Sequence, residues 1–358
     1  MPVSRVPEPD TGTQRRAVEK EQEMDWYAGA GRRVAVIVPC LNEEAAIATV
    51  VRDFRTALPG AMVFVYDNMS TDGTMRAAAA AGAVVRQVGH RGKGNVVRRM
   101  FADVDADVYV MVDGDGTYDA GAAPAMVRRL LDDHLDMVVG TRVDDDPEAY
   151  RRGHRFGNWM LTTLVTRLFG RTFTDMLTGY RVFSRRFAKA FPALSRGFEI
   201  ETEITVHTLE LRLATAEMPT RYSSRVEGST SKLSTYRDGL RILKLILRLL
   251  MLEKPLALFG GLAGVLALAS IGFFIPVLID YLATGLVPRF PTLIVSVSLM
   301  SLALLALMTG IIQDNVTRGR QEMKRLFYLA AGDRAADREQ RDERGGDSDW
   351  QGEWRRQA

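Results

Sequence analysis

The stretch YVMVDGDGTYD, Tyr109–Asp119, decides how the rest of the chain is read. Tyr109–Val112 is short, apolar and valine-rich, as a strand buried on both faces should be, and it runs directly into Asp113 and Asp115 in a glycine-containing turn. Two carboxylates separated by one residue at a strand end form an all-oxygen pair suited to Mg2+ or Mn2+ and to the phosphates such an ion neutralises. The bare pattern also fits a solvated turn, so its setting has to decide.

From Val34 to about Thr141 short apolar runs alternate with helical stretches, the pattern of a doubly wound α/β sheet. The spacing predicts strands at 33–38, 62–66, 84–87, 108–112 and 137–139, with helices over 43–58 and 71–81 and a stop at Gly82. In such sheets ligands bind beyond the carboxyl ends of the strands. Three of these ends carry acidic or amide groups. VIVPCLNEE (36–44) ends the first strand, with Pro39 expected to stop it and Asn42, Glu43 and Glu44 opening a helix. VYDNMSTDGT (65–74) ends the second, with Asp67 and Asn68 ahead of a helix cap expected at Ser70 or Thr71. If the three ends converge, Glu43 and Asp67 can hydrogen-bond a base and ribose while Asp113 and Asp115 manage a pyrophosphate and a metal. HRGKGN (90–95) lies between them, its glycines permitting close backbone approach and Lys93 reaching a base or phosphate. Walker spacing is absent.

The chain has 358 residues, enough for one catalytic domain and an appendage. Its 47 basic and 44 acidic residues are too evenly balanced for a nucleic-acid binder. The lone Cys40 excludes an intramolecular disulfide and reads as a buried thiol, while the four histidines lack metal-ligand spacing. Residues 1–31 and those from about Asp333 are polar and read as mobile tails, and nothing near the N-terminus resembles an export signal.

Residues 256–279 and 290–313 carry no charge over the length of a bilayer crossing and are expected to span a membrane. The loop between them has only Asp280 and Arg289 as charges. Arg241, Lys244, Arg248 and Lys254 precede the first span, and Arg318, Arg320, Lys324 and Arg325 follow the second. That asymmetry predicts both termini and the catalytic domain on the cytoplasmic side, at the inner membrane of the cell. Amphipathic basic helices over 155–173 and 234–254 are expected to lie in the headgroup layer, so membrane lipids count among the partners.

The motifs together resemble glycosyltransferase family 2, and within it the polyprenyl-phosphate glycosyltransferases related to dolichol-phosphate mannose synthase. The resemblance runs from about Val34 to Leu233 and adds GTR (140–142), DMLTGYRVFSR (175–185), FEIETEI (198–204) and GSTSKL (228–233) to the segments already quoted. It implies a GT-A fold over 32–233, a two-helix membrane domain over 255–313, a cytoplasmic tail over 314–358, and transfer with inversion to a polyprenyl phosphate such as dolichol or undecaprenol phosphate. By the same resemblance Pro39, Leu41, Glu43, Asp67, Asn68, Lys93, Asp113, Gly114 and Asp115 bind a nucleotide-sugar donor. Asp113 and Asp115 would hold the metal, and Arg142, Arg155 and Lys232 the acceptor phosphate, with Glu201 and Glu203 as partners of those cations. Asp115, Arg142 and Lys232 are the expected catalytic set. The DGDGTYD form favours a UDP-sugar such as UDP-glucose or UDP-N-acetylglucosamine. Thr117 is a departure, since many members carry a glutamine metal ligand there. A processive polysaccharide synthase would need a QxxRW motif that the chain lacks, and a catalytically silent binding module would not need these charges. The oligomeric state stays open, a homo-oligomer included.

Overall fold

The computed structural model of the protein describes residues 32–144, 163, 173–195, 197, 199–223, 251 and 254–342. Arg155 and Lys232 lie outside these residues, as do the N-terminal tail, residues 343–358 and nearly all of the two expected headgroup helices. Two compact units are distinguished: Met1–Thr162 with Arg171–Lys232 and Phe327–Ala358, and Thr163–Gly170 with Leu233–Leu326.

The first unit is built on a 7-stranded sheet. In chain order its elements are β1 Val34–Cys40, α1 Glu44–Ala57, β2 Met62–Asp67, α2 Thr74–Ala80, β3 Val84–Gln87, α3 Lys93–Asp103, β4 Val108–Met111, α4 Ala123–Asp132, β5 Met137–Asp144, β6 Arg181–Ser184, α5 Arg185–Ala190, α6 Ile200–Glu210 and β7 Thr215–Tyr222. The spatial order is β3-β2-β1-β4-β6-β5-β7. β1 runs parallel to β2 and β4, whereas β6 is antiparallel to both β4 and β5, so the sheet is mixed rather than wholly parallel. Because β5 reverses β6, it points the same way as β4. The carboxyl ends of β1, β2, β4 and β5 therefore share one edge.

Burial follows the sequence pattern. Every residue of β1, β2 and β4 is buried, and α1 covers them with Ala46, Ile47, Val50, Val51 and Phe54 at helical spacing. On α4 the buried stripe is Ala123, Met126, Val127 and Leu130. Each larger side chain so buried stabilises the fold by about 1.5–3 kcal/mol, and Phe54 adds an edge-on contact to Tyr180 at 5.9 Å.

Two local expectations are corrected. β1 does not stop at Pro39 but continues to Cys40, with Pro39 paired opposite Tyr66. Ile37 accepts from Val112 N on the β4 side, and Pro39, two residues on, faces that same side after the β4 pairing has ended, so its missing N–H costs no ladder bond. Nor do Ser70 and Thr71 cap a helix. α2 begins at Thr74 behind Gly73, and the preceding residues are instead laced to the first strand's loop. Asn42 N donates to Ser70 Oγ at 2.8 Å, Thr71 N to Asn42 Oδ1 at 2.8 Å and Gly73 N to Glu44 Oε2 at 2.8 Å. Asn42 and Met69 take left-handed backbone angles, φ 53° and 64°, to make these turns.

In the second unit α7, Pro255–Thr284, and the first part of α8, Phe290–Asp342, are long and apolar enough to cross a membrane. α7 ends at Gly285, φ 69°, whose N–H returns to Tyr281 O at 2.8 Å. Ser270 Oγ donates to Ser296 O at 2.8 Å and Ser296 Oγ to Ser270 O at 3.0 Å, a reciprocal pair that fixes the register of the two helices. α8 runs on beyond the uncharged stretch that closes at Gln313, and beyond Asp333, from which a mobile tail was expected. It stays helical to Asp342, through good helix formers and an Arg318–Asp314 pair at 2.9 Å one turn apart. Within the first unit, Tyr328 OH donates to Asp136 Oδ2 at 2.8 Å, and Arg186 lies 4.6 Å over the Tyr328 ring.

Candidate active site

The sheet edge gathers the acidic loops. Asp113 follows β4 once Val112 N has bonded to Ile37 O, and Gly114 passes so close to β1 that any Cβ there would collide with Cys40 Sγ. Gly116 takes φ 73°, which turns the loop back. Asp115 is 5% exposed, and its Oδ1 accepts from Thr117 Oγ1 at 2.7 Å and Thr117 N at 3.3 Å. Thr117 thus orients the aspartate from within the turn. Tyr118 anchors the far side, accepting from Gly179 N at 2.9 Å, and Gly179 in turn leaves no room for a Cβ against the Asp113 carboxylate.

Lys93 opens α3 and places Nζ 2.5 Å from Asp113 Oδ1 and 2.5 Å from Glu201 Oε1. Burial by itself would depress the ammonium's pKa, but the two carboxylates outweigh burial and hold it above the ordinary lysine range. The pKa of Glu201, on α6, is also raised: burial pushes it up, Lys93 opposes that, and Asp113 adds to it. Glu201 therefore partners Lys93, while Glu203 accepts backbone N–H groups from Leu194 and Ser195.

At the end of β5, Arg142 grips Asp175 through Nε at 2.7 Å and Nη2 at 2.8 Å, a bidentate pair, and its guanidinium lies 5.4 Å over the Tyr222 ring. Tyr222 is also 5.2 Å from Tyr118, and Ser223 N donates to Thr117 O at 2.9 Å. The end of β7 thereby ties the Arg142 strand to the Asp115 turn. Arg181 is wholly buried beneath this region and donates to Thr178 O, Met176 O and Thr205 Oγ1, while burial lowers its pKa to about 10.

Asp67 and Asn68 end β2 in different roles. Asn68 Nδ2 donates to His90 O at 2.8 Å and Gly92 N to Asn68 Oδ1 at 2.7 Å, so this amide acts by clamping the lysine loop. Asp67 Oδ2 accepts from Ser70 N at 2.9 Å, but its Oδ1 is buried with no hydrogen-bond partner among the described residues. A buried carboxylate oxygen in that state retains the capacity to accept one more hydrogen bond. Pro39, Leu41 and Glu43 continue the same edge from β1, where Glu43 N bonds to Thr74 Oγ1 at 2.9 Å. Among the described residues no group of three or more His, Cys, Asp or Glu is arranged to hold a metal. Asp113 and Asp115 fit a hard divalent ion whose remaining ligands are phosphate oxygens and water, the arrangement Mg2+ prefers.

A family model described as "Glycosyl transferase family 2" matches residues 35–191, from β1 through α5. "Glycosyltransferase AglJ" of Haloferax volcanii is 33% identical over 299 residues, which make up 83% of this chain and 98% of the relative. The chain belongs to glycosyltransferase family 2. A second Haloferax volcanii protein, "Dolichyl-phosphate hexose transferase", is 29% identical over 221 residues, 62% of this chain and 95% of that one. Among solved structures, glucosyl-3-phosphoglycerate synthase from Mycobacterium tuberculosis superposes with a TM-score of 0.51 at 25% identity, covering 64% of this chain and 83% of the other. The mixed sheet is thus the GT-A fold of a family 2 glycosyltransferase.

Thr117, Asp175, Gly179 and the Lys93–Glu201 pairing carry geometry that reading by spacing did not assign. Asp175, Gly179 and Glu201 do fall inside the motifs DMLTGYRVFSR and FEIETEI, which was the available signal.

Proposed function

We propose that this family 2 enzyme moves one hexose from a UDP-sugar to a polyprenyl phosphate at the cytoplasmic membrane face, inverting the anomeric centre. The observation that carries the reading is the tie between the Asp115 turn and the Arg142 strand through Tyr118, Tyr222 and Ser223. It brings an acidic, metal-competent loop and an oriented guanidinium to one sheet edge, as a reaction between a nucleotide diphosphate and a phosphate nucleophile requires. The likeness to the Haloferax volcanii dolichyl-phosphate hexose transferase supports the acceptor class.

In this reading Asp67 and Glu43 accept from the base and ribose, Asn68 holds the loop that carries Lys93, and Pro39, Leu41 and Gly114 line the donor. Asp113 and Asp115 hold Mg2+ or Mn2+, which when bound neutralises the departing diphosphate. The acceptor phosphate is anionic at neutral pH and needs no general base. Arg142, kept in plane by Asp175, aligns that phosphate for in-line attack and offsets the repulsion between two anions. Lys232 and Arg155 complete the phosphate clamp, and the short run from Ser223 at the Thr117 carbonyl to Lys232 suits that role.

Both α7 and the apolar part of α8 cross the membrane in this reading. The Arg289–Asp280 ion pair at 2.9 Å neutralises the connecting loop, whereas Arg318, Arg320, Lys324 and Arg325 follow the second span, which supports cytoplasmic termini. The test is to incubate the purified full chain with radiolabelled UDP-hexoses, Mn2+ and polyprenyl phosphate. A lipid-linked monosaccharide of inverted anomeric configuration is expected. An insoluble polymer, or no transfer from any nucleotide sugar, would overturn the proposal.

A further inference from the structure

Lys93 bridges two carboxylates that differ in access. The Glu201 side chain is 5% exposed, on a helix, and its Oε2 is buried with no hydrogen-bond partner among the described residues. Asp113 is 27% exposed and opens the DGDG turn. An ammonium shared between two anions holds neither as firmly as it would hold one alone, because its charge and its N–H donors are divided. Glu201 is closed to water and also lies within electrostatic reach of the buried Arg181, so it is the permanent end of the bridge. Asp113 is the end that an incoming cation can reach.

We infer that Glu201 is a positioning residue that keeps Lys93 from monopolising Asp113, leaving the aspartate free to exchange its ammonium partner for a divalent ion. The inference rests on the assignment of Asp113 to metal binding made above. When Asp113 turns to the ion, Lys93 and Glu201 remain as a neutral buried pair, so the exchange strands no charge. Without the Glu201 charge, Lys93 has Asp113 as its only anionic partner in the bridge and competes with the ion. The consequence is counterintuitive for a carboxylate that is not itself assigned to the ion: deleting its charge should weaken metal uptake, and deleting the lysine as well should restore it.

The experiment measures Mn2+ binding to the full chain in detergent, with saturating UDP, from the electron paramagnetic resonance signal of free Mn2+. Glu201→Gln is expected to weaken Mn2+ binding about tenfold, and Glu201→Asp, which withdraws the charge by one methylene, to weaken it by less. The double variant Lys93→Met/Glu201→Gln is expected to bind Mn2+ within about twofold of wild type, although its UDP affinity falls. If Glu201→Gln binds Mn2+ as wild type does, or if the double variant stays as weak as the single, Glu201 serves only the fold and the inference fails. If Glu201→Gln does not fold, Glu201→Asp and the double variant decide between the same outcomes. Failure of the wild type to bind Mn2+ with UDP would instead remove the functional reading itself.

Discussion

Lys93 and Arg142 stand on the same sheet edge, and they are held in different ways. Lys93 is a point charge divided between two carboxylates at 2.5 Å, from α3 and with partners on two other segments. Arg142 is a planar fork gripping the Asp175 carboxylate at two points, 2.7 and 2.8 Å, with an aromatic ring over its face. A shared ammonium can change partners, whereas a bidentate guanidinium has a fixed direction. The difference suits the two substrates proposed here: the donor side must admit a metal and a diphosphate, and the acceptor side must aim one nucleophile.

The most damaging way to break this comparison is to remove the carboxylate on which the proposed metal site depends. Asp115→Ala should lower kcat by about a thousandfold while the thermal unfolding midpoint stays near that of wild type, read by transfer assay and by circular dichroism. Next, Arg142→Lys keeps the charge and discards the fork. Loss of a charged hydrogen-bonded contact is worth about 1.5–3 kcal/mol, so kcat/KM for polyprenyl phosphate should fall about 10- to 100-fold with the donor KM little changed. A smaller effect sharpens the donor side. Gly179→Ala pushes a methyl against the Asp113 carboxylate and should cost about tenfold in kcat/KM for the donor, since small misplacements at a reacting centre are expensive. The control lies at the amino end of β5, opposite the end that carries Arg142. Tyr328→Phe removes one hydrogen bond to Asp136 and should lower stability by about 1 kcal/mol in chemical denaturation, with transfer unchanged.

The donor half was legible from sequence because its signals are local. β1, β2 and β4 are valine-rich runs that end in acid, and each was placed to within two residues or so at its ends. The acceptor half was less so. β6 and β7 are short or polar, β6 enters the sheet antiparallel, and the partners of Arg142 and Lys93 come from segments far along the chain. Period and spacing carry no information about such pairings. Pro39 misled for a related reason, because whether a strand tolerates proline depends on which side its neighbour still occupies. Asn68, expected from sequence beside the donor, also clamps the lysine loop, a role spacing could not reveal, since an amide at a strand end serves backbone as readily as substrate.

Cys40 lies 2% exposed under Gly114, and its burial, with Glu43, Asp67, Asp113 and Asp115 nearby, pushes the thiol's pKa well up. Alkylating reagents need a thiolate they can reach, and this sulfur offers neither. It is also the chain's single cysteine. The protein is therefore a natural blank for maleimide chemistry: a fluorophore or spin probe attached at an introduced surface cysteine would report on that position alone, with the native sulfur left silent under the loop.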